Sequence, residues 1–163
     1  MSSIADYLCS PAWAIEATAL EGITQAAVSA KDLAKYGHEG TPPSSGYKNI
    51  NGVGVIPVSG VIMRRADQVN GYGQPRGTSL EQLHNDISAA ASDNTARSVM
   101  IAIDSPGGSV DGIIDAAASI RALRASKPVH AHVSGMAASA GYWLASQADK
   151  VFATAGSQVG SIG

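Results

Sequence analysis

Val99-Met-Ile-Ala-Ile-Asp-Ser-Pro-Gly-Gly-Ser109 is the stretch on which the fold turns. It opens with a continuous apolar run of strand length, Val99 to Ile103, the pattern of a parallel strand covered on both faces. A Pro-Gly-Gly turn follows. Val110, Ile113, Ile114, Ala117, Ile120 and Leu123 then recur at helical spacing until Pro128 marks a stop. Val129 to Val133 reads as the next strand. Ser134-Gly135 turns the chain, Met136 to Ser146 is alanine-rich and helix-prone, and Lys150-Val-Phe-Ala153 is a short strand. Strands and helices alternate without hairpin signals, which predicts an α/β unit with right-handed crossovers.

Upstream, Val53 to Val58 reads as a first strand that Val61-Ile-Met63 continues or pairs with, and Gly71 to Gly77 as a loop. Thr78 or Ser79 can cap a helix, with Glu81 and Gln82 at capping-box distance and Leu80, Leu83, Ile87 and Ala90 along one face. Nearer the amino terminus, Ser10-Pro11 precedes Trp13, Ala17, Leu20, Ala27 and Val28, predicting a helix over 11–35. A Gly-, Pro- and Ser-rich stretch follows it. The organisation expected is a helical appendage over 1–36, a linker over 37–49 and the α/β domain over 50–163.

The chain of 163 residues is 45% apolar and 15% charged, with one cysteine and a formal charge of −2. That excludes a disordered chain and a disulfide-stapled module. With 11 Lys and Arg against 13 Asp and Glu, never in a block, no footprint for nucleic acid is expected. Apolar runs fall far short of the roughly 20 residues of a membrane span, so a soluble, cytoplasmic protein without a membrane partner is expected. Cys9, His38 and His84 are too scattered for a metal site, and Gly71 to Gly77 lacks the lysine-serine ending of a phosphate loop. Neither a metal nor a cofactor is expected.

Ligands of an α/β unit gather outside the carboxyl ends of its strands, which singles out the turns after Ile103 and Val133. In the first, Gly107 and Gly108 can turn backbone N–H groups toward an anion or an oxyanion, although a Pro-Gly-Gly turn also serves as a plain connector. The second, Ser134-Gly-Met-Ala-Ala-Ser-Ala-Gly141, places Ser139 among small residues at a helix start, where the N–H of Ala140 can donate to a developing oxyanion. Ala137 stands where a nucleophile elbow has its first glycine, so that motif is half met.

Together, Asp104-Ser-Pro-Gly-Gly-Ser-Val110, Gly135-Met-Ala-Ala-Ser-Ala-Gly-Tyr142 and Gly160-Ser-Ile-Gly163 resemble the signal peptide peptidase A family of serine proteases, above all its phage head-maturation members. The likeness runs from about Tyr47 to the last residue, and more weakly over Pro11-Ala-Trp-Ala-Ile15. It implies a Clp/crotonase-like α/β fold of repeated strand-turn-helix units, incomplete at the carboxyl end, in which 50–163 are the first part of the protease domain. It further implies that Ser139 is the nucleophile and that the N–H groups of Gly108 and Ala140 form the oxyanion hole. A lysine base is implied beyond residue 163. The expected activity is that of a serine endopeptidase cleaving capsid, scaffold or portal proteins inside an immature phage head in the host cytoplasm, as a homo-oligomer. Without its base the 163-residue chain is expected to be inactive alone. Two alternatives remain, a non-catalytic assembly or scaffold fragment and a Clp-type peptidase.

Lys31, Lys35, Lys48 and Lys127 are read as surface charges, and Lys150 lies about 16 Å from Ser139 if the intervening chain is helical. His130 and His132 share a strand face that is expected to meet packed helices, a structural role. Asp104 is expected to cap its own turn, with orienting the active turn as the alternative, and Tyr142 and Trp143 to pack in the core, with a groove-lining role as the alternative.

Overall fold

The structure, a computed structural model, describes residues 13–15, 46–65 and 77–162. The larger of two sheets is built on parallel strands β3 (Val53–Ser59), β6 (Ser98–Ser105) and β8 (Val129–Ala138). β2 (Lys48–Ile50) closes one edge by an antiparallel hairpin onto β3. At the other edge, β9 (Lys150–Ala153) runs along the first half of β8 and β10 (Gln158–Gly160) along its last residues, both parallel. A second, smaller sheet has the order β1 (Trp13–Ile15), β7 (Gly107–Ser109), β4 (Val61–Met63), β5 (Gly77–Ser79).

Helices α1 (Leu80–Ser92), α2 (Ile113–Leu123) and α3 (Ala140–Ala145) cover one face of the large sheet. Ile56, Val58, Val99, Ile101, Ile103, Val129, Ala131 and Val133 point into this layer and are fully buried or nearly so, beside Leu83, Ile113, Ile120 and Leu144. Truncating one of the central isoleucines to alanine removes packing of about 2–5 kcal/mol. The other face is only half covered among the described residues, because Met100, Ala102, His130 and His132 alternate with the buried set. The apolar run at 99–103 therefore hides a period of two: its outward positions are apolar as well, which made it read as covered on both sides.

α1 starts where its cap predicts, with Ser79 Oγ accepting the N–H of Gln82 at 3.3 Å. Elsewhere tertiary pairing overrides local propensity. Asn51 and Gly52, with φ of 54° and 87°, form the left-handed pair of a tight hairpin turn, a signal missed in the expectation of no hairpins. Tyr47 and β2 consequently belong to the folded unit rather than to the end of the 37–49 linker. Trp13–Ile15, expected to be helical, form β1 because β7 offers them an open edge. The rest of the expected appendage and linker, and most of the Gly71 to Gly77 loop, lie outside the described residues. Met136 to Ala138 extend β8 instead of starting a helix, so α3 has six residues, and the helical ruler from Ser139 to Lys150 does not apply.

The β2 edge is fastened by one carboxylate. Asp93, at the end of α1, accepts the Tyr47 hydroxyl at 2.7 Å, Asn49 Nδ2 at 2.8 Å, and the N–H and hydroxyl of Thr95. Lys127, expected as a surface charge, donates to the carbonyls of Ala90 and Asp93 and so caps α1. Hydrogen bonds from Thr95, then Tyr47 and Asn49, hold the Asp93 carboxyl well below the usual carboxylate range. Burial, and then the bond to and charge of Asp93, push the Tyr47 phenol up to about 12. A depressed acid stabilises the fold above its unfolded pKa of about 4, and that contribution fades as pH falls below it. A raised phenol contributes fully below its unfolded pKa of about 10 and loses its effect as pH rises further. Replacing Tyr47→Phe is thus expected to flatten the loss of stability above about pH 10 and to lessen the dependence on acid. Urea midpoints across pH check this, and an alkaline limb as steep as that of the parent would contradict it.

Candidate active site

Strands β6 and β8 run parallel, and near their carboxyl ends Ser105 and Ala137 are Cα partners across a local register shift. Two residues further along the sequence lie Gly107, the start of β7, and Ser139, just past the end of β8. The two turns singled out in the sequence therefore emerge at the same end of the sheet, and α3 packs against β7 directly after Ser139. A Cβ on Gly141 would lie 3.1 Å from the Ser105 carbonyl oxygen, which measures how closely the start of α3 abuts the first turn.

Ser139 caps α3 with φ 53° and ψ −117°, a backbone conformation that L side chains rarely adopt. Such a conformation costs on the order of 1–3 kcal/mol and persists only where its surroundings over-determine it. Here the Ser139 N–H donates to the carbonyl of Gly160 at 2.9 Å, and its own carbonyl accepts the N–H of Trp143 at 2.9 Å. Its hydroxyl makes no capping bond to the helix. The sharp strand-to-helix elbow is thus present with alanine, not glycine, at position 137.

The first turn is a short strand rather than a simple connector. Gly107 and Gly108 are buried in β7, and a Cβ on Gly108 would fall 1.8 Å from the carbonyl oxygen of Ile62 on β4, so only glycine fits. Ser105, fully buried, was not singled out in the sequence. Its hydroxyl donates to the Gly60 carbonyl at 2.7 Å and accepts the Gly107 N–H at 3.1 Å. The signal available was a serine two residues ahead of a turn N–H, a pattern too common to notice without the fold.

Asp104 does not cap its own turn. Its Oδ1 accepts the N–H of Met136 at 3.0 Å and ties the end of β6 to the segment that leads into Ser139, the orienting role held as the alternative. Trp143 is 39% exposed rather than core, lining a shallow groove between α2 and α3 with Ile114, Ala117 and Arg121. His130 and His132 point away from the helices, His130 packing edge-on against Phe152 with ring centroids 5.8 Å apart. Among the described residues its Nδ1 is buried without a hydrogen-bond partner. His132 precedes Ser139 by seven residues, roughly 20 Å of extended chain. Lys150 pairs with His130 at the opposite end of β8, and Lys48 lies on the far edge strand. None of these is placed beside Ser139. The chemistry open to an elbow serine of this kind is attack by its hydroxyl on an acyl carbon.

The model of Peptidase family S49 matches residues 121–163, which include Ser139. The chain is 35% identical over 150 residues to capsid assembly protease C of Escherichia phage lambda, covering 90% of this chain and 31% of that protein. It is also 35% identical over 124 residues to the head-tail preconnector protein GP5 of Enterobacteria phage P21, covering 76% and 24% respectively. The chain thus spans a quarter to a third of the length of these relatives. In three dimensions it resembles a probable enoyl-CoA hydratase of Mycobacterium thermoresistibile, with a TM-score of 0.51 at 17% identity over 70% of this chain and 51% of that one. That likeness establishes a crotonase-like α/β fold. Among the described residues no helix is long and apolar enough to cross a membrane.

Replacing Ser105→Ala deprives the buried Gly107 N–H and the half-buried Gly60 C=O of one partner each, with an expected cost of about 1–3 kcal/mol. Urea unfolding measures the cost, and amide exchange at Gly107 is expected to quicken. Unchanged stability together with unchanged exchange would show that the hydroxyl does not hold the turn.

Proposed function

The chain belongs to peptidase family S49, alongside its phage members, and from that membership we propose that it carries the acylating part of a serine endopeptidase. The observation that supports this reading best is the strained backbone of Ser139 at the carboxyl end of β8, beside the close-packed Gly107-Gly108 strand. In the proposed reaction Ser139 Oγ attacks the carbonyl carbon of a peptide bond while its proton passes to a base. The N–H groups of Gly108 and Ala140 receive the oxyanion, and losing one such donor typically costs roughly 3 to 4 kcal/mol of barrier. Collapse expels the amine, which takes up the proton, and water then hydrolyses the acyl-serine.

The base is a lysine held neutral by burial, supplied by polypeptide outside these 163 residues or by a neighbouring subunit. Among the described residues Lys48 sits on the far edge strand, Lys127 at the α1 cap and Lys150 at the opposite end of β8, which supports a base supplied from elsewhere. On this reading residues 50–163 are the first part of the protease domain, and 1–36 an appendage to it. The substrates are proteins of capsid assembly, scaffold or portal type, cleaved inside an immature head by a homo-oligomer in the host cytoplasm.

A serine-reactive phosphonate is expected to label the full-length protein and to leave a Ser139→Ala variant unlabelled. Equal labelling of both would remove Ser139 from the mechanism. Gly108→Ala is expected to abolish labelling or folding outright, because its Cβ collides with the Ile62 carbonyl. Soluble Gly108→Ala protein that labels at the parental rate would contradict the geometry.

A further inference from the structure

β1 pairs antiparallel with β7, with Ala14 the Cα partner of Gly108, Trp13 of Ser109 and Ile15 of Gly107. The opposite edge of β7 is held by β4, where Ile62 pairs with Gly108. A strand residue directs its N–H and C=O toward the same neighbouring strand, so Gly108 aims them either at β4 or at β1. An N–H that serves an oxyanion has to leave the β4 side and cross the edge along which β1 lies. An extended peptide that brings its carbonyl to Gly108 would run along that same edge, adding itself to β7 by main-chain hydrogen bonds. Two of the three β7 residues are glycine, so this edge reads the main chain of its partner more than the side chains.

We propose that Trp13–Ile15 occupy, in cis, the strand position of a peptide substrate on β7, so that the amino-terminal segment competes with substrate for the site. This rests on the reading of Ser139 and Gly108 given above. A tethered occupant acts at millimolar effective concentration, enough to keep weakly binding peptides out. Among the described residues its ladder spans three residues and already uses the whole of β7, so a substrate displaces it through contacts made beyond β7. The segment thereby discriminates between chance peptides and substrates presented as extended chain at high local concentration, the condition of a closed protein shell.

The test compares phosphonate labelling rates of the full-length protein with those of three variants, one deleted for residues 1–15 and two carrying Ala14→Pro or Ile15→Pro. In an antiparallel ladder alternate residues donate, so one of the two prolines removes a bond to β7 while the other faces away. The deletion and one proline variant are expected to label at least about tenfold faster than the parent. A synthetic peptide spanning residues 10–17 should slow the deletion variant again, and a scrambled peptide should not. Parental rates in all three variants would overturn the proposal, as would a deletion variant indifferent to the peptide. If no form labels, the assignment of Ser139 fails by itself. Amide exchange at Gly107, Gly108 and Ser109 then decides the occupancy: the deletion should expose these amides and the peptide should protect them again, and amides unmoved by either sink it.

Discussion

The two sheets are joined through the hydroxyl of Ser105. β3 ends at Ser59, and Gly60 carries the chain out of the large sheet and into β4 of the small one. Both main-chain groups of Gly60 are held from the end of β6: its N–H donates to the Asp104 carbonyl, and its carbonyl accepts the Ser105 hydroxyl. The same hydroxyl accepts the Gly107 N–H, where β6 in turn leaves the large sheet for β7. One buried oxygen therefore fixes where both chains change sheets, and with it the distance between β4 and β7. Because Gly108 already touches the Ile62 carbonyl, that distance has no slack. A side chain at 108 or a lost bond at 105 would shift the β7 strand, and whatever its N–H groups serve would shift with it.

Much of the large sheet could be read in the sequence because it depends on local pattern. The α1 face, its Ser79 cap, the β3, β6 and β8 strands and the α2 stripe all carry a period of two or 3.6 that burial makes visible. What escaped was decided by partners distant in sequence. β7 is a strand because β4 lies beside it, and β1 because β7 has a free edge, neither of which Pro-Gly-Gly or Trp-Ala-Ile announces alone. Lys127 and Asp104 were misjudged for the same reason. Each bonds main-chain atoms more than thirty residues away, Lys127 on α1 and Asp104 on Met136. Of the site, Ser139, Gly108 and Ala140 were named from motifs, and the fold brings their two turns to one end of the sheet. Ser105 stayed invisible because its importance lies in what it connects.

Strain at Ser139 needs an anchor on each side, and the fold provides one from an unexpected source. On the carboxyl side the anchor is ordinary, since the first turn of α3 returns the Trp143 N–H to the Ser139 carbonyl. On the amino side the N–H would be lost to the β8 ladder, because the elbow turns it out of line. β10 recovers it. Gln158 to Gly160 pair in parallel with Met136 to Ala138, and the Gly160 carbonyl accepts the Ser139 N–H. β10, which ends on the first glycine of Gly160-Ser-Ile-Gly163, is the brace that keeps the elbow bent. A brace made of a three-residue edge strand holds only while β8 is itself straight at Met136, and that is where Asp104 takes hold of the backbone. Ser105 sets the β7 side of the candidate site, and Asp104 with Gly160 sets the Ser139 side. The sharpness of the elbow is therefore a property of three strands, not of the residues Ala138-Ser139-Ala140, which explains how an alanine at 137 can stand where close backbone packing ordinarily calls for glycine.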